Sequence, residues 1–160
     1  MTEPTTTTHA AARRTMSGLE YMRKLVAGEL EASPMARLLN IRIVEVDEGR
    51  VVVTAEPTPE FENGLHIAHG GFAATLLDTA LGCAVNSVMP AGKVFTTLEM
   101  KINFTRAVTL KTGTLTCTAN VVHAGSRTAT AEGRIVDAAG KVYAHGTATC
   151  ILFRDTTEES

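Results

Sequence analysis

The chain lacks several features that would announce a particular function. It has three cysteines, Cys83, Cys117 and Cys150, odd in number, widely spaced and set among apolar or small residues. Neither a disulfide framework nor a zinc site is indicated, and the thiols read as core fillers in a reducing compartment. There is no metal-ligand spacing, no glycine-rich phosphate loop and no Gly-x-Ser-x-Gly turn, which argues against a metalloenzyme, an ATPase and a serine hydrolase. A large excess of one charge is missing too. With a formal net charge of -2, no general affinity for nucleic acid or an anionic membrane is expected, and any polyanion must be gripped locally. The first eight residues contain no hydrophobic signal core, and the apolar run from Phe72 to Met89 carries Asp78, Gly82 and Asn86, which a membrane span tolerates poorly. The expectation is a soluble cytoplasmic protein. Its 160 residues suffice for one domain with a real core.

What is present centres on His69-Gly70-Gly71 and the apolar stretch that follows. Between His69 and Lys93 the only charged side chain is Asp78. A helix apolar nearly all round belongs in a protein interior, where an unpaired carboxylate costs several kcal/mol unless something requires it. Pro90-Ala91-Gly92 closes this helix.

Around it the chain reads in order. Residues 1–16 are Thr- and Ala-rich with no periodicity, the composition of a flexible tail. Ser17 and Glu20 have capping-box spacing, and Leu19, Met22, Leu25 and Val26 continue at helical intervals, predicting an N-terminal helix to about Leu30 that Ser33-Pro34 ends. Strand, Gly-containing turn and strand follow over residues 41–56, and Pro57 and Pro59 stop the pairing.

Beyond the helix, four segments alternate with period two. They are Thr97 to Phe104, Thr114 to Val121, Thr128 to Ile135 and Val142 to Phe153, with Gly125-Ser126 and Ala139-Gly140 at the hairpin turns. Short links imply an antiparallel sheet. Its inward residues Ala131, Gly133, Gly146 and Ala148 are small enough for the helix to lie close. The expected architecture is α+β: one long central helix wrapped by a curved antiparallel sheet of five or six strands, with an additional N-terminal helix. The single domain spans 17–155, and 156–160 form a C-terminal tail.

A helix beginning at Gly70 or Gly71 offers unpaired backbone N–H groups to negative charge, including the oxyanion formed when a thioester carbonyl is attacked. The same glycines also serve a tight loop-to-helix turn. Asp78 reads either as a buried carboxylate satisfied by Thr75, Thr79 or backbone donors, or as a general base or nucleophile. Gly71, Ala74, Thr75, Asp78 and Gly82 form one small-residue face that something approaches closely. Asp78 stands roughly 10 Å along the axis from Gly71 at 1.5 Å per residue, so the two halves of one site come from different subunits of a two-fold dimer.

Asn63, His69, Gly70, Gly71 and Asp78, with the segment Leu76 to Gly82 and the strand from Thr96 to Phe104, resemble the hotdog-fold acyl-CoA thioesterases of the phenylacetate-degradation (PaaI-like) and hydroxybenzoyl-CoA thioesterase type. The resemblance covers about residues 38–153. It implies a homodimer with a continuous sheet, often paired into a tetramer, that hydrolyses acyl-CoA thioesters, with CoA as part of the substrate and no separate cofactor or metal. Carried over, Gly70 supplies the polarising N–H and His69 orders that turn. Asp78 of the facing subunit is nucleophile or base, Asn63 places the thioester or water, and Thr97 or its neighbour Thr96 assists beside the Asp. Gly71 belongs to the substrate-binding turn. His66 stands where the family keeps a Gly, with Gly64 directly after Asn63 instead, and either lines the pocket or stands exposed. Arg106, Arg127 and Lys101 are candidates for the CoA end, and Gly125-Ser126-Arg127 resembles the family's turn near the nucleotide phosphates. A hotdog dehydratase would need a His base in another register. A non-catalytic acyl-CoA or small-ligand binding protein would use the same residues.

Overall fold

The computed structural model describes residues 9–154, so the expected tail segments 1–8 and 156–160 lie outside the described residues. Four helices, α1 (His9–Thr15), α2 (Gly18–Val26), α3 (Pro34–Leu38) and α4 (Gly70–Ser87), accompany six strands. These are β1 (Arg42–Asp47), β2 (Arg50–Ala55), β3 (Lys93–Phe104), β4 (Leu115–Ala124), β5 (Thr128–Val136) and β6 (Val142–Arg154). They form one antiparallel sheet in the order β1-β2-β4-β5-β6-β3, which leaves β1 and β3 at the edges. This is the hotdog fold.

α4 is the core. Leu76, Leu77, Ala80, Leu81, Ala84 and Val85 along it have no exposed surface. The small inward residues act as expected: Gly133 and Gly146 pair across β5 and β6, and Leu77 of α4 sits over both. A Cβ on Gly146 would stand 3.0 Å from Leu77 Cδ2, so the sheet reaches the helix only because that position is bare. At the other end of α4, Ser87 is buried, donates to Ala84 O at 2.7 Å and accepts the Gly49 N–H at 2.8 Å, fixing the β1–β2 turn to the helix terminus.

The cap at Ser17 forms as the spacing predicts. Its amide and hydroxyl both donate to Glu20 Oε2 at 2.8 Å, which holds the Glu20 carboxyl below its ordinary pKa, the hydroxyl contributing most. α2 stops at Val26 rather than near Leu30, because Gly28 takes a φ of +73° two residues later. Pro34 opens α3 at its first turn, with Ser33 as cap.

The tail reading of 1–16 needs correction over its second half. His9–Thr15 is helical, because an Ala-rich segment has high helix propensity and here finds a surface to cover. Ala12 is fully buried, Gly92 N–H donates to Arg13 O at 2.9 Å, and the Tyr21 hydroxyl meets His9 Nδ1 at 2.8 Å.

Register shifts fall at Ile43/Glu45, Thr97/Glu99, Val121/His123 and Ile135/Val136, and two of these bulges move a residue to an unexpected face. One lies between Thr97 and Glu99 opposite β6 and leaves Leu98 as the extra residue, 58% exposed instead of facing the core. The other lies between Ile135 and Val136, where Ala144 and Val142 are their partners, and it turns Tyr143 inward from the polar face.

Candidate active site

The N-terminal end of α4 is built by a short turn. Asn63 Oδ1 accepts the Leu65 N–H at 2.8 Å, His66 N–H returns to Asn63 O at 3.0 Å, and Asn63 N–H donates to Ile67 O at 2.8 Å. Closing this turn puts His66 at a φ of +56°, the left-handed conformation for which the family's Gly is suited. His66 itself points to solvent beside Glu62, so it does not line the cleft. We expect His66→Gly to raise stability by about 0.5–1 kcal/mol, the relief of the left-handed backbone exceeding the added freedom of the unfolded chain. A urea midpoint that falls instead would show that the turn is unstrained.

His69 caps the helix. Its Nδ1 accepts the Gly71 N–H at 3.0 Å. This occupies the Gly71 N–H. Among the described residues no acceptor takes the Gly70 N–H. Gly70 borders a cleft of about 410 Å³ with Asn63, His69, Phe104, Arg106 and Tyr143. With Oδ1 engaged, the Asn63 side chain still has its amide donors to offer.

The second cluster lies two turns along α4. Thr97 Oγ1 donates to Asp78 Oδ1 at 3.0 Å, across from β3. Thr96, one residue earlier on the strand, is exposed, so the Asp has Thr97 and not Thr96 as its partner. Thr75 does not satisfy the carboxylate either, since its hydroxyl donates back to Gly71 O at 2.9 Å. Cys83, further along the helix, has its thiol pushed up to about 12, mainly by burial and then by the charge of Asp78. It is no thiolate nucleophile at neutral pH.

Gly70 and Asp78 are eight residues apart on one helix, about 12 Å at 1.5 Å rise, and the subunit does not bring them together. The expected CoA-end residues separate as well. Arg106 joins the Gly70 cleft, its guanidinium 5.9 Å from the Tyr143 ring centroid. Gly125, Ser126 and Arg127 stand at the opposite end of β3, where Lys93 Nζ donates to Ser126 O at 2.8 Å. Lys101 lies on the outer face of the sheet with Asn103 and His145. The candidates for the CoA end thus stand in three separate places of one subunit, with the twelve residues of β3 between the two ends.

Sequence reading missed Phe104 and Tyr143 as cleft residues. A Cβ on Gly70 would meet the Phe104 ring at 3.2 Å, and Tyr143 reaches the cleft through its bulge. A long exposed aromatic ending an alternating strand was the available signal for Phe104. None existed for Tyr143. Among the described residues no group of three His, Cys, Asp or Glu side chains could hold a metal ion, and no helix is long and apolar enough to cross a membrane.

A central helix packed on an antiparallel sheet, with a bare N–H at its tip and one carboxylate on its flank, is what the fold presents. The chain belongs to the Thioesterase superfamily, whose sequence model matches residues 65–144. It is 36% identical over 114 residues to the acyl-coenzyme A thioesterase PaaI of Escherichia coli strain K12, covering 71% of this chain and 79% of that protein. It is also 30% identical over 105 residues to the 1,4-dihydroxy-2-naphthoyl-CoA hydrolase of Listeria monocytogenes, covering 65% and 83%. The solved structure of the E. coli PaaI protein superposes with a TM-score of 0.75 at 31% identity, covering 86% of this chain and 96% of that one.

Proposed function

We propose that this protein is an acyl-CoA thioesterase, active as a two-fold dimer in which Gly70 of one subunit and Asp78 of the other share each site. The observation that carries this reading is the partly buried Asp78–Thr97 pair on the flank of α4, matched to an unoccupied Gly70 N–H it cannot reach within its own subunit. Family membership and relatives named as CoA-thioester hydrolases support the reaction.

β3 is an edge strand with a free hydrogen-bonding side, and Leu98 and Phe104 on it are 58% and 55% exposed. Pairing β3 antiparallel with its copy removes that edge. It also sets the end of β3 carrying Phe104 and Arg106 beside the partner end that carries Thr97, Lys93 and the Ser126-Arg127 turn. The separation of the two arginines then gains a reason: Arg106 and Arg127 grip the CoA phosphates from two subunits. Dimers of dimers through the outer sheet face extend the same proposal.

In the reaction, Asp78 takes the proton of a water that attacks the thioester carbon, or attacks that carbon itself. The oxygen that gains charge is held by the Gly70 N–H, with Asn63 orienting the substrate. The C–S bond breaks and CoA leaves as a thiolate that takes up the water's proton, leaving the free acid; where Asp78 attacks, the bond break leaves a mixed anhydride that water then cleaves, restoring the Asp78 carboxylate and releasing the acid. Water and the thioester suffice, with no cofactor, in a protein we place in the cytoplasm.

The test is release of free CoA from short-chain, medium-chain and aryl acyl-CoAs, with sedimentation velocity on the same preparation. We expect turnover by a dimer or larger assembly. An active monomer would overturn the shared site, and tight acyl-CoA binding without turnover would establish a binding protein instead.

A further inference from the structure

A second cavity, of about 450 Å³, shares no lining residue with the Gly70 cleft. Met22 and Leu25 of α2, Ala36 of α3, Ile43 of β1 and Phe95 of β3 form its walls, and Thr79 and Cys83 of α4 its floor. Much of the wall precedes residues 65–144, so it comes from the part of the chain outside the family match. The segment is held in place: Gly18 N–H donates to Met89 O at 2.8 Å, anchoring α2 to the end of α4.

Neighbours of the Asp78–Thr97 pair on both elements line this cavity. Thr79 follows Asp78 directly, and Phe95 precedes Thr97 by two residues on β3. Gly82, one helical turn beyond Asp78, leaves the space into which the Phe95 ring packs, 3.0 Å from where a Cβ would stand. Two guanidinium groups also stand at the cavity, and Arg13 lies over the Tyr21 ring. Arg13 Nε donates to His9 O and Arg42 Nε to Asn40 Oδ1, both at 3.2 Å.

We propose that this cavity is the acyl subsite and takes the hydrocarbon end of a saturated medium-chain acyl group, an assignment that rests on the hydrolase reading above. The volume lies in the usual range for small-molecule sites. At roughly 30 Å³ per water-sized group it holds about fifteen such groups when full, so a ligand that leaves part of it empty has about eight to ten carbons.

The test is a series of saturated acyl-CoAs from butanoyl to dodecanoyl, read as kcat/KM. Wild type is expected to gain about fourfold per methylene up to octanoyl or decanoyl and then level off. Ala36→Phe, which fills the cavity from α3, should lower the octanoyl-to-butanoyl ratio at least about tenfold, and Leu25→Ala should move the plateau to longer chains. The ratio is taken on one preparation, so a general loss of folded enzyme cancels, and the wild-type series decides the matter if a variant does not fold. CoA release with a flat length dependence, or a ratio unmoved by either folded variant, would overturn the subsite while leaving the hydrolase reading intact. It would mean that another part of the assembly fills the cavity. Should no substrate release CoA, the hydrolase reading fails, and titration calorimetry takes over. Octanoyl-CoA binding at least about tenfold tighter than free CoA sustains the cavity as a ligand site, and equal affinities overturn it.

Discussion

Asp78→Asn is expected to lower kcat for CoA release by about 10²–10⁴-fold while leaving the fold in place. The amide is nearly isosteric with the carboxylate and its oxygen still accepts the Thr97 hydroxyl, which now donates to Asp78 Oδ1 at 3.0 Å. What it cannot do is take a proton from water or form an acyl intermediate. Binding should change little, because the flank of α4 around Asp78 keeps its shape. The loss should therefore appear in kcat, with KM within a few-fold of wild type. Thermal unfolding of the same preparation checks the structural half of the expectation. Wild-type rates in the variant would remove Asp78 from the chemistry.

The largest expected effect on stability comes from Gly146→Ala. Gly146 pairs with Ile102 on β3 and with Gly133 on β5, and Leu77 of α4 covers it. An added Cβ would stand 2.1 Å from Lys101 O, a backbone atom of the neighbouring strand that no rotamer change can move. It would also press on Leu77 Cδ2 at 3.0 Å, in a core with no room to yield. Either β3 shifts away from β6 or the helix lifts, and we expect a loss of about 2–3 kcal/mol. In a domain of this size that lowers the melting temperature by about 4–12 °C. Gly133→Ala should be milder, since its nearest contacts would be at 3.1 Å and one of them is the tip of Leu77. A urea midpoint for Gly146→Ala within about 0.5 kcal/mol of wild type would show that the helix does not lie as close to the sheet as described.

Much of the fold was legible because its signals are local. The Ser17–Glu20 cap needs only an interval of three residues, and α4 runs from Gly70 to Ser87 because glycine before and proline after bracket an apolar run. The helix at His9–Thr15 was not legible. Seven residues do not nucleate alone, and what holds α1 is Ala12 in the core and the Gly92 N–H on Arg13 O. Leu98 and Tyr143 were placed on the wrong faces for a related reason. A bulge shifts the parity of a strand by one, and strand composition carries no mark of it.

By itself the sequence determined a central helix wrapped by an antiparallel sheet, the place of the helix tip at His69-Gly70-Gly71, and the isolation of Asp78 as the lone charge between His69 and Lys93. Those follow from periodicity and from the energy of burying one carboxylate, both of which act over a few residues. Only the tertiary structure decided that Thr97 rather than Thr96 meets Asp78, that Arg106 and Arg127 stand at opposite ends of β3, and that α2 and α3 wall a cavity beside the carboxylate. Each of these depends on strand register and on how distant segments dock, and docking is settled by packing across the whole core, where no short stretch of chain holds the information.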